Sequence, residues 1–157
     1  MQNLKDIPCL ILGIGNILWA DEGFGVRVVE AFNDKYAFTD PNNVIADGGT
    51  LGMYLYDRIC RAEKLLIFDC CDFKGKPGEL RVLRNDDVKL WTSTKISPHQ
   101  TGMNDLLVAA AVRGAVPKEI AVVGFQPILL DDYGGSLSPE AKANIDAVSY
   151  THLTLPT

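Results

Sequence analysis

The sequence predicts an α/β fold: a single domain built on a doubly wound, mostly parallel sheet of about five strands, with helices on both faces. Three observations carry this. Short, continuously apolar runs, CLILGI, LLIF and IAVVGF, alternate with segments whose apolar residues recur at helical spacing, as βαβ units require. The first three predicted strands run into glycine or an acid, which suits chain leaving a sheet at its carboxyl edge, where open α/β folds keep their chemistry. The length of 157 residues fits one domain able to bury a core without disulfides.

Taken in order, Ile7–Gly13 is a strand apolar throughout, as a strand covered on both faces must be. A helix from Glu22 to Tyr36 follows, with Phe24, Val28, Ala31 and Phe32 on its inner face and Arg27, Glu30 and Asp34 outside. Pro41 ends that unit. Val44–Ala46 is a short strand running into the turn Asp47-Gly48-Gly49-Thr50, and Gly52–Arg61 is a second helix. Lys64–Asp69 is a buried strand ending on an acid. Pro77-Gly78 turns the chain into Glu79–Arg84, whose alternating pattern fits an exposed edge strand running antiparallel to the rest. A loop, Ile96–Gly102, carries His99 into a helix with Met103, Leu106, Leu107, Ala110 and Ala111 on one face. Ile120–Phe125 is the last strand, Gln126–Leu137 a loop, and Ser138-Pro139-Glu140 starts a final helix with a cap and a proline at its first position. The pattern then gives way to SYTHLTLPT, so residues 1–148 are expected to be the domain and 149–157 a non-native tail.

Composition excludes several function classes. With 47% hydrophobic and 22% charged residues the chain is globular, and a formal charge of −5 with no basic stripe disfavours nucleic acid and anionic membranes as partners. No apolar run approaches the ~18 residues of a membrane span, and MQNLKDIPCL lacks a signal-peptide pattern, so the expected location is the cytoplasm. Cys9, Cys60, Cys70 and Cys71 sit within or beside apolar runs with no CxxC pair, which suits reduced thiols and argues against a cysteine-built zinc site.

The residues with chemistry in them are Asp21, Glu22, Asp69 and His99. Local capping explains either acid of the first pair taken singly, since Asp21 is a good N-cap and Glu22 suits the positive end of a helix dipole. Yet Glu22, Asp69 and His99 all fall where strands end or helices begin on one edge of the sheet. His99 is the only histidine outside the tail, which holds His152. One imidazole and two carboxylates make a three-ligand metal site with open positions, better suited to zinc or nickel than to calcium. Two crowded carboxylates could instead share a proton as an aspartic-peptidase dyad does. The glycines of Gly13-Ile14-Gly15 resemble a dinucleotide fingerprint, but Leu18 stands where its third small residue belongs and the following acids would repel a pyrophosphate. Cys70 and Cys71 are poor nucleophiles beside Asp69, because a negative neighbour raises thiol pKa.

GIGNILWADEGFGVRVVE, DGGT, the acid of LLIFD, SPHQTG and QPILLDDYGGSLS resemble, in order, segments of the hydrogenase maturation endopeptidases, most of all the branch acting on uptake hydrogenases. The resemblance implies an endopeptidase that removes the C-terminal extension of a nickel-iron hydrogenase large-subunit precursor after nickel insertion. It implies a metal site of Glu22, Asp69 and His99 that engages nickel carried by the substrate, with zinc or another divalent ion able to substitute. Asp21, Glu22 and Asp69 are its catalytic candidates, under either a metallo- or an aspartic-type mechanism, and the expected acting unit is a monomer. The Cys70-Cys71 pair departs from the small residues expected after the strand acid. Two other readings compete: a non-catalytic metal- or nucleotide-binding maturation chaperone on the same fold, and an interaction domain whose acids only cap helices.

Overall fold

In the computed structural model the residues described are 4–15, 17, 20–35, 37, 39–49, 53–88, 98–128 and 136–154; side chains at 22, 49, 53, 54, 98–102, 104, 146, 147 and 149–154 lie outside that description. Five strands form one sheet: β1 (Ile7–Ile14), β2 (Val44–Gly49), β3 (Ala62–Cys70), β4 (Leu80–Arg84) and β5 (Glu119–Phe125), in the order β2-β1-β3-β5-β4. The first four in that order run parallel, and β4 pairs antiparallel with β5, as the alternating pattern of Glu79–Arg84 predicts. Among the described residues the helices are α1 (Phe24–Lys35), α2 (Met53–Arg61), α3 (Pro98–Arg113) and α4 (Pro139–Thr154). None of the described helices is long and apolar enough to cross a membrane.

The middle stretches of the central strands are continuously apolar because both faces are covered. On one face Ile11, Leu66 and Phe68 pack beneath Phe24, Val28 and Phe32 of α1 and Ala141 and Val148 of α4. On the other, Leu10, Leu12, Leu65 and Ile67 lie under Leu55 and Ile59 of α2 and Met103, Leu106 and Ala110 of α3. This is the doubly wound, single-sheet architecture expected.

α1 sits unusually close to the sheet, and glycine permits it. A Cβ on Gly13 would strike the Gly25 carbonyl oxygen and lie 2.7 Å from Val29 Cγ2; one on Gly25 would strike the Phe68 oxygen and lie 2.5 Å from that of Ile14. The chain then leaves β1 at Gly15, whose φ of 145° is in a region side chains rarely adopt. These glycines are consumed by helix–strand contact and turn geometry, which accounts for them without a phosphate.

β2 and β3 run longer than expected, to Gly49 and from Ala62, and three helix boundaries also differ. Glu22 lies in a 3-10 turn, Ala20–Gly23, ahead of α1 instead of in its first turn. Ala20 precedes it with a φ of 40°, and the Asp21 carboxylate meets donors from distant chain, so the α-helix starts one short turn late. His99 is the second residue of α3 and not part of a loop, because Pro98 has a φ already suited to the first helical position. Finally, α4 continues to Thr154, past the boundary expected after Val148, since no glycine or proline interrupts it before Pro156.

Candidate active site

The carboxyl edge of the sheet collects the elements that bear the predicted residues. β1 delivers the Ala20–Gly23 turn with Asp21 and Glu22; the neighbouring β3 ends with Asp69 and Cys70. α3 reaches the same edge from its other end. Its C-terminus is closed by Gly114 (φ 75°), with Gly114 N–H donating to Ala111 O at 3.0 Å and Ala115 N–H to Ala110 O at 2.8 Å, a Schellman cap. Lys118 N–H then bonds Glu63 O at 2.8 Å, at the start of β3. That end of α3 is therefore at the amino edge, and His99 lies about 21 Å away along a helix antiparallel to the strands, at 1.5 Å per residue.

Asp69 is 3% exposed and stands opposite Gly124 of β5 in the register. It alternates with Phe68 and Cys70, which pack under α1 and α4, so it shares the face of Ile67 and Cys71, the face covered by α2 and α3. Asp69 and the N-terminus of α3 thus belong to the same side of the same edge. The side chains of Glu22 and His99 lie outside the described residues, so the structure brings their backbones to this edge and describes no meeting with Asp69. Among the described residues no three His, Cys, Asp or Glu side chains gather as a metal site. Asp47, in the predicted Asp47–Thr50 turn, lies instead within β2, exposed and opposite Gly13; Thr50 is outside the described residues.

Asp21 is 0% exposed and accepts hydrogen bonds from Ile128 N–H at 2.9 Å, Ser138 N–H at 2.7 Å and the Ser138 hydroxyl at 2.9 Å. Capping of its own helix, the local reading, leaves these long-range contacts out. Phe24, three residues on, stacks on Phe125 at the end of β5 with ring centroids 4.5 Å apart, and both rings are fully buried. The turn bearing Asp21 and Glu22 is in this way fastened to the exit of β5.

Sequence reasoning missed Gln126, which organises the chain after Asp69. Its side-chain oxygen accepts from Phe73 N–H at 3.1 Å and Gly75 N–H at 3.2 Å, and its amide donates to Asp72 Oδ1 at 3.1 Å. Its backbone bonds both Gly78 and Glu79. The available signal was a glutamine placed directly after a buried strand and before Pro127, where a side chain with both donor and acceptor can tie down neighbouring backbone. Cys71 in the same loop is buried, and its thiol is pushed well up, first by burial and then by Asp69 and Asp72. That agrees with the prediction that Cys71 is inert.

The model of the hydrogenase maturation protease family matches residues 26–154. The hydrogenase expression/formation protein HupD of Bradyrhizobium diazoefficiens is 46% identical over 142 residues, 90% of this chain and 73% of its own length. The hydrogenase 2 maturation protease of Escherichia coli is 40% identical over 138 residues, 87% of this chain and 83% of its own. The solved structure of the hydrogenase maturating endopeptidase HybD from E. coli has a TM-score of 0.87 and 37% identity, covering 94% of this chain and 91% of that one. The chain spans 64–73% of the length of the HupD, HupM and HoxM relatives. A sheet edge that gathers these turns, together with these matches in family model, sequence and fold, establishes that the chain belongs to the hydrogenase maturation protease family.

Proposed function

We propose that this protein is an endopeptidase that removes the C-terminal extension of a nickel-iron hydrogenase large-subunit precursor once nickel is in place. In this reading Glu22, Asp69 and His99 engage the nickel carried by the precursor. The supporting observation is that the turn, the strand end and the helix start bearing these residues reach one edge of the sheet, in a chain of this family. Two carboxylates and an imidazole leave coordination positions to a substrate-borne ion, and another divalent ion such as zinc could take its place. Recognition of that ion would hold the scissile bond at the edge, so that cleavage reports metal insertion. Asp69 or Glu22 would take a proton from the attacking water as it adds to the peptide carbonyl, and the departing amine would be protonated as the C–N bond breaks. Four free cysteines suit a reducing compartment, and the proposed setting is the cytoplasm, with a monomer as the acting unit.

The test mixes purified protein with nickel-loaded and nickel-free precursor and follows the precursor's mass. Tail loss from the loaded form alone, abolished by His99→Ala, is expected. Equal cutting of both forms, or full activity of His99→Ala, overturns recognition through the metal. A stable complex without loss of mass points to the non-catalytic chaperone instead.

A further inference from the structure

We propose that Asp21 is a positioning residue of this site, clasping both flanks of the 129–137 segment to the turn that carries Glu22. The inference rests on the peptidase reading above. Ile128 precedes that segment and Ser138 follows it, and their N–H groups bond the two oxygens of one carboxylate, Ile128 to Oδ2 at 2.9 Å and Ser138 to Oδ1 at 2.7 Å. The donors lie 107 and 117 positions along the chain from Asp21. The Ser138 hydroxyl donates to Oδ2 at 2.9 Å and accepts from Ala141 N–H at 3.3 Å in the first turn of α4. One buried carboxylate therefore joins the β1 exit turn, the β5 exit and the start of α4.

Two further features fit a clasp. Ala20, immediately before Asp21, has a φ of 40°, which a residue with a Cβ keeps only where its surroundings hold it. The donor pattern also requires a carboxylate specifically. In asparagine one of the two positions becomes an NH2 group, and whichever it is, a backbone N–H of Ile128 or Ser138 then faces a donor. Asp21 thus acts on peptide cleavage through Glu22, its neighbour, and does not itself touch substrate.

The experiment uses the full chain carrying Asp21→Asn or Ser138→Ala. It measures amide hydrogen exchange at Ile128 and Ser138, and kcat and KM for tail removal from nickel-loaded precursor, per folded molecule. For Asp21→Asn, exchange at both amides should accelerate about tenfold or more, and kcat should fall about tenfold to a hundredfold with KM changed less than about threefold. Ser138→Ala removes the hydroxyl contact and should produce a smaller change in the same direction. The double variant should be no slower than Asp21→Asn, because both lesions break one clasp. Unchanged exchange overturns the clasp; faster exchange with unchanged kcat per folded molecule makes Asp21 merely structural. If Asp21→Asn does not fold, Ser138→Ala decides by the same two criteria. A wild-type chain that cuts no precursor overturns the peptidase reading, and exchange alone then judges the clasp.

Discussion

Replacing Gly25 with alanine should destabilise the protein although alanine is the better helix former. The added Cβ would strike the Phe68 carbonyl oxygen and approach the Ile14 oxygen to 2.5 Å and the Phe68 carbon to 2.8 Å, where ordinary contact begins at 3.4 Å. All three obstacles are backbone atoms of β1 and β3, held in the middle of the sheet, so no rotamer change relieves them. The start of α1 would have to lift by roughly 1 Å, and overpacking of this kind costs about 1–3 kcal/mol, the upper part of the range applying where backbone cannot yield. Alanine's helix propensity returns up to about 1 kcal/mol. A net loss of about 2 kcal/mol corresponds to a fall in Tm of about 6 °C for a domain of this size. Gly75→Ala is the control: its Cβ meets Glu79 Oε2 and the edge of the Phe73 ring, side-chain atoms that can swing aside. Thermal unfolding followed by circular dichroism should show a large drop for Gly25→Ala and a change within about 1 kcal/mol for Gly75→Ala. A Gly25→Ala midpoint within about 2 °C of wild type would refute the claim that backbone contact, and not side-chain packing, sets the height of α1 above the sheet.

Two further predictions concern Asp72 and the buried thiols. The Asp72 carboxyl is held below its usual value of 3.8, first by the Lys74 backbone N–H, then by the Lys74 ammonium and the Gln126 amide. A lowered folded-state pKa means the folded protein binds fewer protons, so this stabilisation is whole above pH 3.8 and is lost as pH falls through the folded value. The gap in urea midpoint between wild type and Asp72→Asn should therefore be open at about pH 6 and narrow towards about pH 2; a gap independent of pH contradicts it. Burial raises the thiol pKa of Cys9 and Cys71. Peptide mapping after iodoacetamide treatment of native protein at about pH 8 should find both unlabelled, and labelled after unfolding in urea; rapid native labelling of Cys71 would contradict the assignment.

Much of the architecture was legible because burial on both faces leaves a simple mark. β1, β3 and β5 each contain a continuous apolar run, and β4 shows the alternation of a half-exposed strand, which also foretold its antiparallel pairing. Elements bounded by weaker signals were misjudged by a few residues: the late start of α1, the early start of α3 at Pro98 and the run of α4 to Thr154. At the site, the acids and the histidine were visible by type. The partners of Asp21 and Gln126 were not, because the groups they bind are chiefly backbone N–H donors, which every residue but proline carries and which leave no trace in residue identity.

By itself the sequence determined the class of fold, that Asp21 and Glu22 follow the exit of β1 and that Asp69 ends a buried strand, and the family resemblance. These follow from local pattern: apolar runs, helical spacing, and motifs in fixed order. Only the tertiary structure decided that Gly13 and Gly25 exist for each other, that Asp69 shares the face covered by α2 and α3, and that Asp21 answers to Ile128 and Ser138. The physical reason is that each of these is a close contact between groups far apart in the chain. The sheet order β2-β1-β3-β5-β4 brings them together, and no nearby residue encodes it.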